Sequence, residues 1–121
     1  MPMISEHEIQ SRILVAVSQH RCTIFRSNVG KVKTDDGRWF DTGLPKGHPD
    51  LYCFKWSNGK ICYIEVKNEK GRLRQDQIHF HKMLMKHHII HCCARSVNDA
   101  IKTIDEELVG YGYPDWKEKE K

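Results

Sequence analysis

Asn58-Gly59 most constrains the fold of this chain, because it joins two apolar, β-rich runs, Leu51 to Trp56 and Lys60 to Lys67. Asn-Gly between such runs signals an antiparallel hairpin. With Asn58 and Gly59 as a two-residue turn, Ser57 pairs with Lys60. The same register sets Asp50 opposite Lys67 and Tyr52 opposite Glu65. Side chains alternate faces along a strand, so Asp50, Glu65 and Lys67 project from one face. Directly opposed residues come within about 5 Å at Cβ, and diagonal ones such as Asp50 and Glu65 within roughly 7–8 Å. Two carboxylates at that separation can share a hard cation, and the lysine can offer its ammonium to a phosphate or to an attacking water.

The flanking elements are legible from patterning. Ser5, with Glu8 three residues on, opens a helix over residues 5–20 with Ile9, Ile13, Ala16 and Val17 on one face. Cys22 to Val29 reads as a strand, and residues 30–48 as a loop with one short strand at most. Leu73 to His88 is a second helix and Ile89 to Ala94 a short buried strand. Val97 to Val109 is a third helix, with Ser96 as N-cap and Asp99 in its first turn. The expected order is α-β-β-β-α-β-α, an α/β domain with a mixed sheet flanked by helices. A single domain over residues 1–110 precedes an aromatic and charged tail over 111–121, which should fray or pack on a partner.

Composition narrows the class. The 121 residues carry a net charge of +4, a mild lean toward anionic partners. At 39% apolar and 30% charged the chain is not disordered. No apolar run approaches membrane-spanning length, and the N-terminus shows no apolar signal core, so a cytoplasmic location without membrane contact is expected. The five cysteines, at 22, 53, 62, 92 and 93, read as buried thiols of a reducing compartment. His79, His81, His87, His88 and His91 with Cys92 and Cys93 match no zinc spacing, and the histidines read as decoration of a helix face.

On sheet geometry alone, Glu65–Lys67 or Asp50–Lys67 reads equally well as a structural cross-strand ion pair. Two features favour a site. Gln77 is the polar residue in the stripe Leu73, Gln77, Phe80, Leu84, and its amide needs a partner. Glu6 shares the face of Ile9, Ile13 and Val17, whereas Glu8 is explained by capping.

These residues spell a known pattern. Pro49-Asp50, fourteen residues, then Glu65-Val66-Lys67 resembles the PD-(D/E)XK nuclease signature. Ser5 to Gln10, Phe25-Arg26-Ser27-Asn28-Val29-Gly30 and Gly43-Leu44-Pro45-Lys46-Gly47-His48-Pro49-Asp50-Leu51 resemble the VRR-NUC branch, as found in phage proteins. Gly71-Arg72-Leu73 with Gln77, and Ala94-Arg95-Ser96-Val97, fit the same branch. The resemblance implies a restriction-endonuclease-like core and a Mg²⁺- or Mn²⁺-dependent endonuclease hydrolysing DNA phosphodiesters, with no small-molecule substrate. For a phage-encoded chain the setting would be the bacterial host cell. Asp50, Glu65 and the Val66 carbonyl would ligate metal, and Lys67 would orient or activate water. Glu6 would be the helix-one acid, with Glu8 as the alternative, and Gln77 the supporting polar residue. Small members of this branch resemble Holliday-junction resolvases, which implies a homodimer on branched or duplex DNA. Nicking or restriction-type cleavage and a catalytically silent DNA-binding module are the rivals. Lys31, Lys33, Arg38, Lys46, His48, Arg72 and Arg74 form the candidate phosphate-contacting set.

Overall fold

A computed structural model describes residues 3–28 and 31–118. Val29, at the end of the expected first strand, and the last residues of the charged ending, 119–121, lie outside the described residues. The element order is α1 (Glu6–Ser18), β1 (Cys22–Arg26), β2 (Lys31–Lys33), β3 (Trp39–Asp41), β4 (Leu51–Lys55), β5 (Ile61–Val66), α2 (Gln75–Lys86), β6 (Ile90–Ala94), α3 (Val97–Glu106) and β7 (Val109–Tyr111).

Five strands form one mixed sheet in the order β1-β4-β5-β6-β7. The first three pair antiparallel, while β5, β6 and β7 run parallel. Ile9, Ile13 and Val17 of α1 and Ala100 and Ile104 of α3 bury against Leu51, Cys53, Cys62, Ile64, Val66, Cys92 and Ala94 on one sheet face. Helix α2 lies on the other face, where Glu65 and His91 project toward it. All five cysteines are buried and unbridged. Among the described residues no helix is long and apolar enough to cross a membrane.

The caps explain the helix boundaries. The Ser5 hydroxyl accepts the Glu8 N–H at 3.1 Å and Ser96 accepts that of Asp99 at 3.2 Å. α2 starts at Gln75 instead of Leu73, because the Gln77 side-chain oxygen takes the Arg74 N–H at 2.9 Å and fixes Arg74 as the N-cap. α3 ends at Glu106, since Glu107 turns left-handed (φ 53°) to set its carboxylate on Lys55, Lys60 and Asn58.

Three expectations are corrected. The 30–48 region holds two short strands, β2 and β3, which pair with each other as a separate two-stranded sheet. Part of the tail packs on the domain itself: β7 extends the sheet beside β6, and Tyr113 is buried. The hairpin register differs by two residues, because the loop spans four residues. The Lys55 N–H meets the Lys60 carbonyl at 3.0 Å and the Gly59 N–H meets the Lys55 carbonyl at 2.8 Å. Only Gly59 (φ 73°) is left-handed, whereas a two-residue type I′ turn needs Asn58 there as well. The Asn58 side chain instead bonds the Lys60 N–H and Glu107. A shift of two preserves the face of every side chain. It does change partners: Tyr52 pairs with Tyr63 and Leu51 with Ile64, so the same register carries Asp50 opposite Glu65, not Lys67.

Candidate active site

Asp50 enters the site from a loop that is pinned on α2. At Gly47 (φ 83°) an added Cβ would fall 2.1 Å from the Asp76 carbonyl oxygen, so this glycine lets the loop lie flat on the first turn of α2. Pro49 is buried, and Asp50 follows at the start of β4. One Asp50 oxygen, Oδ2, accepts the Val66 N–H at 2.9 Å, so this carboxylate replaces a ladder bond where β4 has ended. Within a strand the N–H and C=O of one residue point the same way, and the Val66 carbonyl therefore lies on the Asp50 side of β5.

Glu65 is 1% exposed. Its Oε1 accepts the Gln77 side-chain N–H at 2.8 Å, while its Oε2 is buried without a hydrogen-bond partner. Burial pushes the Glu65 carboxyl well above the glutamate range, and the Asp50 charge adds to the rise. Lys67 opposes it, but the Nζ stands 3.9 Å from Oε1, at the outer limit of an ion pair, although Lys67 is itself buried. Gln77 satisfies both ends of its amide, with the oxygen on the helix cap and the nitrogen on Glu65.

Glu6 reaches the same place from α1. A Cβ on Gly71 would sit 2.4 Å from Glu6 Oε2 and 3.1 Å from Lys67 Cδ, so carboxylate and lysine stem meet over one glycine. Glu8 is exposed and pairs with Arg12 at 3.1 Å. Of the two acids left open by the sequence, Glu6 is the one at the cluster.

The phosphate-contacting set divides. Lys46, Arg72 and Arg74 are exposed around the start of α2, with Arg74 bonded to Asp76. Lys33 and Arg38 are exposed on the separate β2–β3 hairpin, where Arg38 pairs with Asp36. The side chain of Lys31 lies outside the described residues. His48 is half-buried in an aromatic nest, its ring 5.3 Å from Phe80 and 5.5 Å from Tyr63, with Nδ1 2.9 Å from the Pro49 carbonyl.

Sequence reasoning passed over three residues near the cluster. Arg95 bonds the carbonyls of Asn68 and Gly71 and staples the turn that follows Lys67. His81 and His91 are buried and bonded to each other, not displayed on a helix surface. The signal for His81 was its spacing of four from Gln77, and for His91 its place in a strand buried throughout.

Two carboxylates, one holding a partnerless buried oxygen, with a backbone carbonyl alongside, suit a hard divalent cation. Among the described residues no group of three or more His, Cys, Asp or Glu side chains gathers for a metal. Mg²⁺ and Mn²⁺ fit such a set, because they keep water and substrate oxygens as further ligands. A family model described as the VRR-NUC domain matches residues 4–98. Neither a comparison with curated proteins nor one with solved structures finds a match.

Proposed function

The chain belongs to the VRR-NUC family, which indicates a nuclease-type function, and from that premise we propose that it is a Mg²⁺- or Mn²⁺-dependent DNA endonuclease, Holliday-junction-resolvase-like and homodimeric. The observation that carries the reading is the buried Glu65 carboxyl set directly against Asp50, with its proton held by burial and that crowding and Lys67 3.9 Å away. In a structural ion pair the lysine would close on the carboxylate. A buried carboxyl pressed against a second acid is costly in a purely structural cluster, and the raised Glu65 carboxyl records that cost.

Hydrolysis requires a water oxygen to bond to phosphorus while the bond to the leaving oxygen breaks. Asp50, Glu65 and the Val66 carbonyl would hold a divalent cation, which would neutralise charge at the phosphate and acidify water. Gln77 holds Glu65 by Oε1 and thereby turns Oε2 toward Asp50. Lys67 sits on the same sheet face with its ammonium 3.9 Å from Glu65 Oε1, where it would orient the attacking water or meet a phosphate oxygen. Glu6 stands beside the Lys67 stem, across Gly71. Lys46, Arg72 and Arg74, exposed around the start of α2, suit the flanking phosphates.

The uncovered half of the α2 face supports a homodimer. Phe25 of β1, Phe54 of β4 and Trp56 of the β4–β5 loop are 41%, 40% and 61% exposed there, and a second copy would cover them. The test is a panel of labelled four-way junction, matched linear duplex and single strand, with Mg²⁺, Mn²⁺ or EDTA, beside a measurement of mass in solution. Paired, symmetric junction incisions by a dimer bear the proposal out. Equal cutting of linear duplex by a monomer replaces the resolvase reading with a nicking or restriction-type one.

A further inference from the structure

Four residues after Gln77, on the same face of α2, His81 packs against the fully buried His91 of β6. His91 Nδ1 is 2.7 Å from the Ile89 carbonyl oxygen. A carbonyl only accepts, so this nitrogen carries the proton. Burial pulls His91 down to about 4 and keeps it neutral, which leaves its Nε2 a bare acceptor. His81 Nδ1, 2.8 Å away, must therefore donate. His81 Nε2 lies 2.8 Å from Asp115 Oδ1 and must donate there too, since a carboxylate only accepts. Proton counting makes His81 an imidazolium closed between a neutral histidine and a carboxylate. The Tyr113 ring stacks on it at 3.7 Å and 9°, a face that attracts a cation.

Asp115 and Tyr113 belong to the segment after α3, beyond the residues matched by the family model. That segment runs close beside the site. At Gly112 (φ 86°) an added Cβ would lie 2.2 Å from the Cys93 carbonyl oxygen, and Cys93 is the register partner of Glu65. Helix α2 thus touches the sheet through two polar contacts one turn apart, Gln77 on Glu65 and His81 on His91, and the second is closed from outside by Asp115.

We propose that the C-terminal segment is a positioning clasp: Asp115, by holding His81 as a cation against His91, fixes α2 so that Gln77 meets Glu65. The consequence for cleavage rests on the nuclease reading, whereas the clasp itself does not. The titratable groups facing His81 are His91 from β6 and Asp115 and Tyr113 from the C-terminal segment, with Cys93 and Glu65 next along the sheet.

Asp115→Asn removes the proton requirement. An asparagine can offer His81 Nε2 either its carbonyl oxygen or its side-chain N–H, so the contact forms with that nitrogen protonated or bare, whereas the wild-type carboxylate needs a proton there. The Asp115 side chain is 57% exposed, so this variant and Asp115→Ala should both fold. The expected result is a several-fold loss of kcat in Asp115→Ala, with KM little changed, and its recovery in Asp115→Asn. Nitrogen-15 NMR of the wild type at mildly acid pH should show both His81 nitrogens protonated. An unchanged kcat in Asp115→Ala, or a bare His81 Nε2, would overturn the clasp. If no substrate is cut, the Gln77 side-chain amide resonance decides. Its displacement in Asp115→Ala and its return in Asp115→Asn support the clasp, and an unmoved resonance refutes it.

Discussion

Asp50 faces Glu65 across β4 and β5 and binds the N–H of Val66, the residue after Glu65, at 2.9 Å. This puts two carboxyl groups against each other at one end of the sheet, with the Val66 carbonyl on the Asp50 side of β5 and Glu65 Oε2 buried. The arrangement makes the metal-free protein sensitive to pH. The Glu65 carboxyl is raised from 4.5 to about 9, chiefly by burial and then by Asp50. A raised carboxyl binds its proton more tightly in the folded state, so the stabilisation is full below the ordinary glutamate value and is lost as pH rises toward 9. Thermal denaturation in EDTA should show Tm falling over that interval, and Glu65→Gln should flatten the fall. Mn²⁺ should restore Tm most at the alkaline end, by binding the folded state, and should do nothing for Glu65→Ala.

Gln77 joins the cap of α2 to Glu65. Its replacement by alanine leaves the Arg74 N–H without its side-chain acceptor and Glu65 Oε1 without its donor, a cost of about 1–3 kcal/mol. The carboxylate also loses its orientation, and kcat should fall on the order of 10- to 100-fold. Urea denaturation and single-turnover cleavage measure the two effects separately.

Glu6 and Glu8 can be told apart through Gly71. The methyl of Gly71→Ala would meet Glu6 Oε2, the far end of a flexible chain, so stability should change by no more than about 0.5–1 kcal/mol. The displaced carboxylate no longer sits beside Lys67, and cleavage should drop. Glu6→Gln should reproduce this loss, and Glu8→Gln, which breaks only an exposed pair with Arg12, should not. Equal rates in all three variants would remove Glu6 from the site.

The four-residue hairpin loop carries its own test. Deleting Trp56 and Ser57 leaves Asn58-Gly59 as a two-residue turn while Lys55 still faces Lys60, so Asp50 stays opposite Glu65. The deletion should keep cleavage within a few-fold of wild type. It should cost about 1–2 kcal/mol, chiefly from the lost Trp56–Thr23 hydrogen bond. A collapse of activity with folding intact would show that the loop sets the register differently.

Periodicity revealed much of this molecule because burial enforces it. The α1 stripe Ile9, Ile13, Val17 and the alternation along β5 mark one continuous core, and the parity of Asp50, Glu65 and Lys67 survived a two-residue error in register. The error arose because Asn-Gly specifies a turn only when both residues can be left-handed, and here Asn58 is drawn to Glu107, 49 positions away. Contacts at such separation leave no local trace. The same holds for Asp115 on His81, 34 residues apart, and for β7, three residues long and too short to announce itself by alternation. The bare oxygen of Glu65 was equally invisible, since it depends on where Lys67 stops.

The most direct measurement is single-turnover cleavage of a labelled four-way junction by wild type, Asp50→Asn, Glu65→Ala and Lys67→Ala, in Mn²⁺ and in EDTA. Circular dichroism would establish that each variant is folded. The account predicts cutting that requires the metal and falls by a factor on the order of 10³ or more in every variant. Cutting that persists in EDTA, or in folded Glu65→Ala, would contradict it.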